Sequence, residues 1–446
     1  MKIGNHFTTS PLTEGLSIAL LGSVWLYGAW LGLDWRVVNT VAGVLFFYRL
    51  LAADRKVWFW SGFFVGLLWF GWIAVSFVYY HIAWAIPFAL AGVGLIYGGI
   101  FWAIAGIALG VARLVSQRIP SAIDHRPSTG AQTSAPYHSF SILNSQFSIL
   151  LTRSLGLLAI SHLHPFTFDW FKPELVFVHS YLGVNKWQFA IVLAAITLAQ
   201  WRRNLLWLGL IVLAYSPTQV QTLPEDPSHT FRLVTTHTTV ADKWDPTLQP
   251  RHIDEALRAI DAAIEKGYRV VVLPESVFPF FLNRRPDLLG ELLKRSRQIT
   301  IIIGALYYDH GIHRNATYRF QDGRYSVAHK VLLVPFGEAN PLPQWAGKWV
   351  NRIFFDGMVD YIASAQPTDW EIGGTLYRNA ICYEATSERL YEGHPEKMIV
   401  LSNNAWFVPS IEPTFQRLLM SYYVRKYRTT IYHATNMSPA YILRPH

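Results

Sequence analysis

Long apolar runs fill the first half of this chain, and they restrict what it can fold into more than any other feature. A helix that crosses a bilayer needs roughly 20 mainly apolar residues. Such stretches occur at about 16–33, 37–53, 57–80, 84–112, 147–163, 183–200 and 204–217. The count is seven, the last being short. Pro87, Gly92, Gly94, Gly98 and Gly99 interrupt them, as lipid-embedded helices tolerate. The first stretch is too long for a signal peptide, lacks a small-residue cleavage site and is followed by further spans. Only 15% of the 446 residues are charged and 52% are hydrophobic, against about one-quarter charged in an ordinary globular protein. A disordered chain would be apolar-poor and charge-rich, so that class is excluded.

The net charge of +9 is unevenly placed. Residues 1–217 hold thirteen Lys/Arg against six Asp/Glu; the rest of the chain holds twenty-five against twenty-three. The simplest cause is two solvents, lipid for the front half and water for the back. With the N-terminus inside, the cytoplasmic pieces carry ten cations (Lys2, Arg49, Arg55, Lys56, Arg113, Arg118, Arg126, Arg153, Arg202, Arg203). The outer loops carry three, Arg36, Lys172 and Lys186. That bias obeys the positive-inside rule. It predicts a multi-pass protein of a bacterial inner membrane, with a cytoplasmic N-terminus and everything after Pro217 in the periplasm. Trp25, Trp30, Trp35, Trp58, Trp60, Trp170 and Trp187 lie near span ends, as an interfacial belt would. Because the cations sit in membrane loops, the basic balance points to no nucleic-acid partner. His162 and His164 read as interfacial histidines in a loop, without a third metal ligand.

Behind a polar linker (218–230), residues 231–446 alternate strand-like and helix-like runs. Strands are predicted at Phe231–Val240, Tyr268–Leu273, Thr300–Tyr307, Tyr325–Val334, Leu376–Cys382 and Met398–Ser402. Helices are predicted at Arg251–Lys266, Pro286–Gln298 and Pro413–Thr429. Ile253, Leu257, Ile260 and Ile264 form one apolar stripe, and Gly267 ends that helix. This alternation implies a layered α/β domain.

Three residues at strand ends form an acyl-transfer kit. Leu273-Pro274-Glu275-Ser276 delivers a carboxylate, Lys330 sits late in a strand run, and Cys382 closes another. Cys382 is the only cysteine, so no internal disulfide is available to it. A thiol needs a base to become a nucleophile. Glu275 could take and return that proton if burial raised its pKa, and Lys330 could face a developing oxyanion. Each residue alone has an ordinary structural reading, the cysteine as a small buried hydrophobe.

The residues around these three carry a resemblance. In order come Leu-Pro-Glu-Ser, Lys330-x-x-Leu-Val-Pro-Phe-Gly-Glu338, Ile-Cys-Tyr-Glu384, Ser402-Asn-Asn-Ala-Trp-Phe407 and Ala434-Thr-Asn436. Together, behind a multispan domain, they resemble the apolipoprotein N-acyltransferase branch of the nitrilase (carbon–nitrogen hydrolase) superfamily. The resemblance is specific from about 231 to 440 and mainly topological before that. It implies a multispan α-helical membrane domain (1–217) followed by a nitrilase-like αββα sandwich (231–446) with a Glu275–Lys330–Cys382 triad. It also implies supporting roles for Trp244, Glu338, Tyr383 and Glu384, with the Tyr383 amide as an oxyanion donor. The implied reaction moves an acyl chain from a phospholipid, through a thioester on Cys382, to the N-terminal amine of a diacylglyceryl-apolipoprotein. No metal or organic cofactor is implied. Two departures stand out: His237 occupies a position where the family usually has Gln, and the family usually continues beyond the point matched by His446, through a hairpin and a membrane helix.

The apolar residues of 345–361, among them Trp345, Trp349, Phe354 and Phe355, are more than a solvated loop would hold. Such a patch marks an interaction surface. With Trp406 and Phe407 they are predicted to form lids that contact the bilayer; the plain alternative is a core helix. Two rival functions use the same residues. A membrane-tethered amidase acting on a small amide would leave lipoprotein N-termini unchanged, and a silent lipoprotein-binding scaffold would tolerate loss of Cys382.

Overall fold

The computed structural model describes residues 10–117, 135–163, 168–340, 342 and 360–446, with backbone only over 135–144. Its front part holds α1 (Pro11–Trp30), α2 (Arg36–Ala52), α3 (Arg55–Phe70), a short α4 (Ser76–Tyr79), α5 (Ile86–Gln117), α6 (Ala135–Ile160) and α7 (Lys186–Trp201). Three helical stretches among the described residues are long and apolar enough to cross a membrane: Pro11–Trp30, Arg55–Tyr79 and Ala83–Gln117. The seventh expected stretch is a ten-residue 3-10 helix, Leu205–Ala214. At about 2 Å per residue it is near 20 Å long, short of a hydrocarbon core of about 30 Å.

The chain forms two compact units, and two stretches of the front half group with the back half. One unit is Met1–Gly71, Ile86–Leu163 and Lys172–Pro217; the other is Trp72–Ala85, His164–Phe171 and Thr218–His446. In the first unit small residues bring helices together. A Cβ on Gly62 of α3 would lie 2.5 Å from the Tyr97 carbonyl of α5, and one on Gly94 would lie 2.6 Å from the Phe63 ring. Where lipid removes the hydrophobic drive between helices, such close backbone approach supplies the packing. Trp25 of α1 meets Trp69 of α3 edge-on at 5.1 Å.

The second unit is a four-layer sandwich. Its strands are β1 (Val220–Leu223), β2 (Phe231–Leu233), β3 (Thr235–Thr236), β4 (Val270–Val272), β5 (Phe278–Phe281), β6 (Thr300–Asp309), β7 (Ile312–Gln321), β8 (Arg324–His329), β9 (Asp369–Ile372), β10 (Thr375–Ile381), β11 (Lys397–Asn403), β12 (Thr430–Asn436) and β13 (Tyr441–Pro445). One sheet runs β2-β4-β6-β7-β8 with β5 on β6; the other runs β1-β13-β12-β11-β10-β9 with β3 on β12. The chain also has a helical turn, α8 (Val240–Trp244), and the helices α9 (Gln249–Glu265), α10 (Pro286–Arg295) and α11 (Glu412–Tyr427).

Between the sheets, Phe231, Val270, Val272 and Ile302 meet Tyr377, Ile399, Leu401 and Ile442. Outside them, α9 and α10 bury Ile260, Leu288 and Leu292 on the first sheet. The predicted stripe faces inward: Ile253, Leu257 and Ile264 pack around the fully buried Ile260. Each such side chain contributes about 1.5–3 kcal/mol when buried. On the other outer face α11 buries Phe415, Leu418, Leu419 and Tyr422. The chain thus has the expected membrane helices followed by an αββα sandwich.

Candidate active site

The three strand ends meet at one edge of the sandwich. Glu275 follows β4 in a loop, Lys330 is the first residue past β8, and Cys382 is the first past β10. The strand expected to contain Lys330 therefore stops at His329, one residue earlier. Glu275 can lie against β6 because Gly304 has no side chain: a Cβ there would be 2.6 Å from the Glu275 Cα.

Glu275, 7% exposed, is held on both oxygens. Its Oε1 accepts from Asn315 Nδ2 at 2.8 Å, and its Oε2 accepts from the Asn403 amide at 2.9 Å. Its Oε1 is 3.6 Å from Lys330 Nζ. Lys330 donates to Glu338 at 2.9 Å, and Asn315 Nδ2 donates to Glu338 as well, at 2.8 Å. One buried amide thus spans the two carboxylates that flank the ammonium. Burial alone would lower the Lys330 pKa, but Glu338 and then Glu275 more than offset it, so the ammonium stays charged.

Cys382 has φ 55°, a left-handed conformation that costs a non-glycine residue about 1–3 kcal/mol and is typical of functional sites. Glu384 braces this turn. Its carboxylate accepts from the Ile381 amide at 2.7 Å, from the Leu332 amide at 3.1 Å, and from the Val331 amide. The same side chain therefore ties the segment after Lys330 to the strand end before the thiol. Burial raises the Glu384 pKa to about 7 against the pull of Lys330 and these amides. Burial, and then the charge of Glu275, push the Cys382 thiol well above its ordinary value, with Lys330 pulling the other way. Burial thus favours the neutral thiol at Cys382, and the Glu275 carboxylate lies close enough for its charge to act on it.

The other expected residues are placed differently. Tyr383 is buried, its ring stacked on Trp170 at 6.4 Å, and Trp170 Nε1 donates to Thr386 at 2.6 Å. Trp244 is 44% exposed and makes no described contact with the triad. Its neighbour Lys243 is buried instead, and donates to the Glu275 carbonyl at 3.3 Å. Burial lowers the Lys243 pKa to about 8. Trp406 stacks on Tyr80 at 5.2 Å, and Phe407 meets Trp72 edge-on at 4.9 Å. Both candidate lid rings thus pack on the 72–85 segment. Trp345, Trp349, Phe354 and Phe355 lie outside the described residues. No cluster of His, Cys, Asp and Glu suited to a metal ion occurs among the described residues.

Sequence reasoning missed Asn315, Asn403, Lys243 and Gln416, whose Nε2 lies 3.8 Å from Cys382 Sγ. Asn315 carried no local signal, because the run that holds it, β7, reads as polar in the sequence. Nothing in the sequence singles out Gln416.

The front half, at residues 9–124 and 134–219, matches the family described as the apolipoprotein N-acyltransferase integral membrane domain. An apolipoprotein N-acyltransferase of Wolinella succinogenes is 39% identical over 100% of this chain and 99% of its own. That of Helicobacter hepaticus is 32% identical over 91% and 92%. Among solved structures, an amidase of the nitrilase superfamily from Nesterenkonia is 12% identical over 48% of this chain and 88% of its own, with a TM-score of 0.35.

Proposed function

Because the chain belongs to the apolipoprotein N-acyltransferase family, and is therefore a membrane acyltransferase of lipoprotein maturation, we propose that it works through a thioester on Cys382. In the first half-reaction Glu275 takes the Sγ proton as sulfur attacks an acyl ester carbonyl of a phospholipid. Lys330 faces the oxyanion. The C–O bond then breaks, and the lysophospholipid alcohol leaves with the proton from Glu275. In the second half-reaction the α-amine of a diacylglyceryl-cysteine attacks the thioester. The N–C bond forms, the C–S bond breaks, and the thiolate recovers its proton through Glu275.

The observation that carries this reading is the convergence of Glu275, Lys330 and Cys382 from three strand ends. Asn315 and Glu338 fix the first two. Desolvation explains why the geometry suits the chemistry: charges in a dry site act strongly on a developing oxyanion. In the same reading the chain crosses a bacterial inner membrane about seven times, N-terminus inside, with the short Leu205–Ala214 stretch and its flanking residues as the last crossing and residues 231–446 periplasmic. The aromatic residues Trp345, Trp349, Phe354 and Phe355 contact the bilayer in it, and the exposed Trp244 ring meets substrate.

The test is to trap the intermediate. Incubation with a phospholipid carrying a labelled acyl chain should give a hydroxylamine-sensitive adduct on Cys382, absent from Cys382→Ala. Active protein without that adduct would reject the mechanism.

A further inference from the structure

Glu412 opens α11, one turn before Gln416. Residues four apart share a helix face, and Gln416 touches the Cys382 sulfur. Glu412 is 2% exposed, its Oε2 is buried without a partner, and no hydrogen bond or ion pair to either carboxyl oxygen occurs among the described residues. Burying a carboxyl without a partner is costly, and each such group in a native protein asks for a reason. The titratable groups around it are the Cys382 thiol and the Tyr441 phenol of β13, both of which feel its charge. Arg417, its neighbour on α11, acts on Tyr441, and His433 of β12 meets the Tyr441 ring edge-on at 4.8 Å. Tyr441 Oη and Asn404 Oδ1 are also buried without partners.

Proton accounting gives this carboxyl a task. Acylation of Cys382 moves one proton, and Glu275 both takes and returns it. Aminolysis must remove two. An α-ammonium has no lone pair, so one proton leaves before attack and the second leaves as the N–C bond forms. Glu275 serves the second, and the triad holds no base for the first.

We propose that Glu412 is the acceptor-side base, taking the first proton from the α-ammonium of the incoming lipopeptide so that a neutral amine meets the thioester. The proposal rests on the thioester reading above. The ammonium N–H pair stays on nitrogen as the lone pair that forms the N–C bond. The C–S pair leaves with sulfur, and Glu412 later loses its proton to water. Burial raises the Glu412 pKa to about 8, close to the about 7.7–8.0 of an ordinary α-amino group, so proton exchange between the two is nearly balanced and the carboxyl acts through the fraction that is ionised.

The test uses the full-length protein in mixed micelles, with phospholipid bearing a labelled acyl chain and a synthetic diacylglyceryl-cysteinyl peptide. Glu412→Gln should form the Cys382 adduct within about 2-fold of the parent rate. Transfer to the peptide at pH 7 should fall by up to about 10-fold, the ratio of ammonium to neutral amine at an α-amino pKa of about 7.7–8.0. The deficit should close as pH rises past 9, where the amine arrives neutral. Hydroxylamine, already neutral at pH 7, should discharge both adducts equally. Equal peptide transfer at pH 7, or a deficit independent of pH, overturns the proposal. Should Glu412→Gln not accumulate, Glu412→Ala replaces it; added formate restoring transfer supports the role, and no restoration overturns it. Failure of the parent to form any adduct overturns the thioester reading itself, and is seen before acceptor is added.

Discussion

At the residue scale the site depends on one amide. Asn315 uses both protons of its Nδ2 on carboxylates, at 2.8 Å to Glu275 and 2.8 Å to Glu338. Removing it leaves two buried acceptors short of a donor, at a cost of about 1–3 kcal/mol. Asn315→Ala should therefore slow adduct formation about 10- to 100-fold, a range set by that cost. A time course with labelled phospholipid checks this, and an unchanged rate would show that the Asn403 amide and Lys330 position Glu275 without Asn315. His433 makes a second, pH-dependent case. It is buried in β12, bonded to Ser402 at 2.7 Å, and burial lowers its pKa to about 3. A depressed folded pKa means that its contribution to stability is present above the unfolded value, about 6.5, and is lost as pH falls toward 3. Between those limits the unfolded chain holds one more proton, a slope of about 1.4 kcal/mol per pH unit. The unfolding midpoint should drop from pH 7 to 5, and His433→Gln should flatten that drop. An equal slope in the variant would assign the acid sensitivity elsewhere.

At the element scale, β6 and the Glu275 loop are locked by the absence of one methyl group. In Gly304→Ala the new Cβ would meet the Glu275 Cα at 2.6 Å and the Pro274 carbonyl at 2.7 Å, both backbone atoms that cannot swing aside. Overpacking of this kind costs about 1–3 kcal/mol, and here the strain falls on the proposed base, Glu275. The variant should fold with a lowered melting temperature and lose most adduct formation; a wild-type rate would mean the loop can move freely. The same scale separates what was legible in the sequence from what was not. The α9 stripe and the Glu, Lys and Cys strand ends follow local periods and motifs; the stripe faces inward as expected, while the strands before Lys330 and Cys382 stop at His329 and Ile381, short of the predicted ends. Strand β7 was missed because Ile-His-Arg-Asn-Ala-Thr-Tyr-Arg-Phe-Gln looks polar, and its burial comes from pairing with β6 and β8. A signal existed, since Asp322 and Gly323, at φ 52° and 72°, form the two-residue Asp-Gly turn that marks a hairpin. The placement of 72–85 and 168–171 was not legible. Trp72, Tyr79, Tyr80 and Trp170 are as apolar as lipid-facing residues, and only their partners Phe407, Trp406, Val408 and Thr386 reveal the difference.

At the scale of the whole molecule, the charge pattern and the reaction make one joint demand. In the proposed reaction the donor's acyl ester and the acceptor's amine both lie at a membrane surface, so that reading requires the domain carrying Cys382 to be on the side where lipoproteins mature. Ten of the thirteen cations of residues 1–217 fall in the proposed cytoplasmic pieces, and juxtamembrane Lys and Arg resist translocation. The single cysteine makes this testable without background. In a Cys382→Ser chain, Ser116→Cys at the exposed end of α5 and Ser228→Cys in the exposed linker each provide one thiol. An impermeant maleimide added to intact spheroplasts should label Ser228→Cys and leave Ser116→Cys unlabelled until the membrane is opened. The reverse pattern would place the triad in the cytoplasm. Labelling of both from outside would mean an even number of crossings between them, against the odd number that alternating loop charge requires.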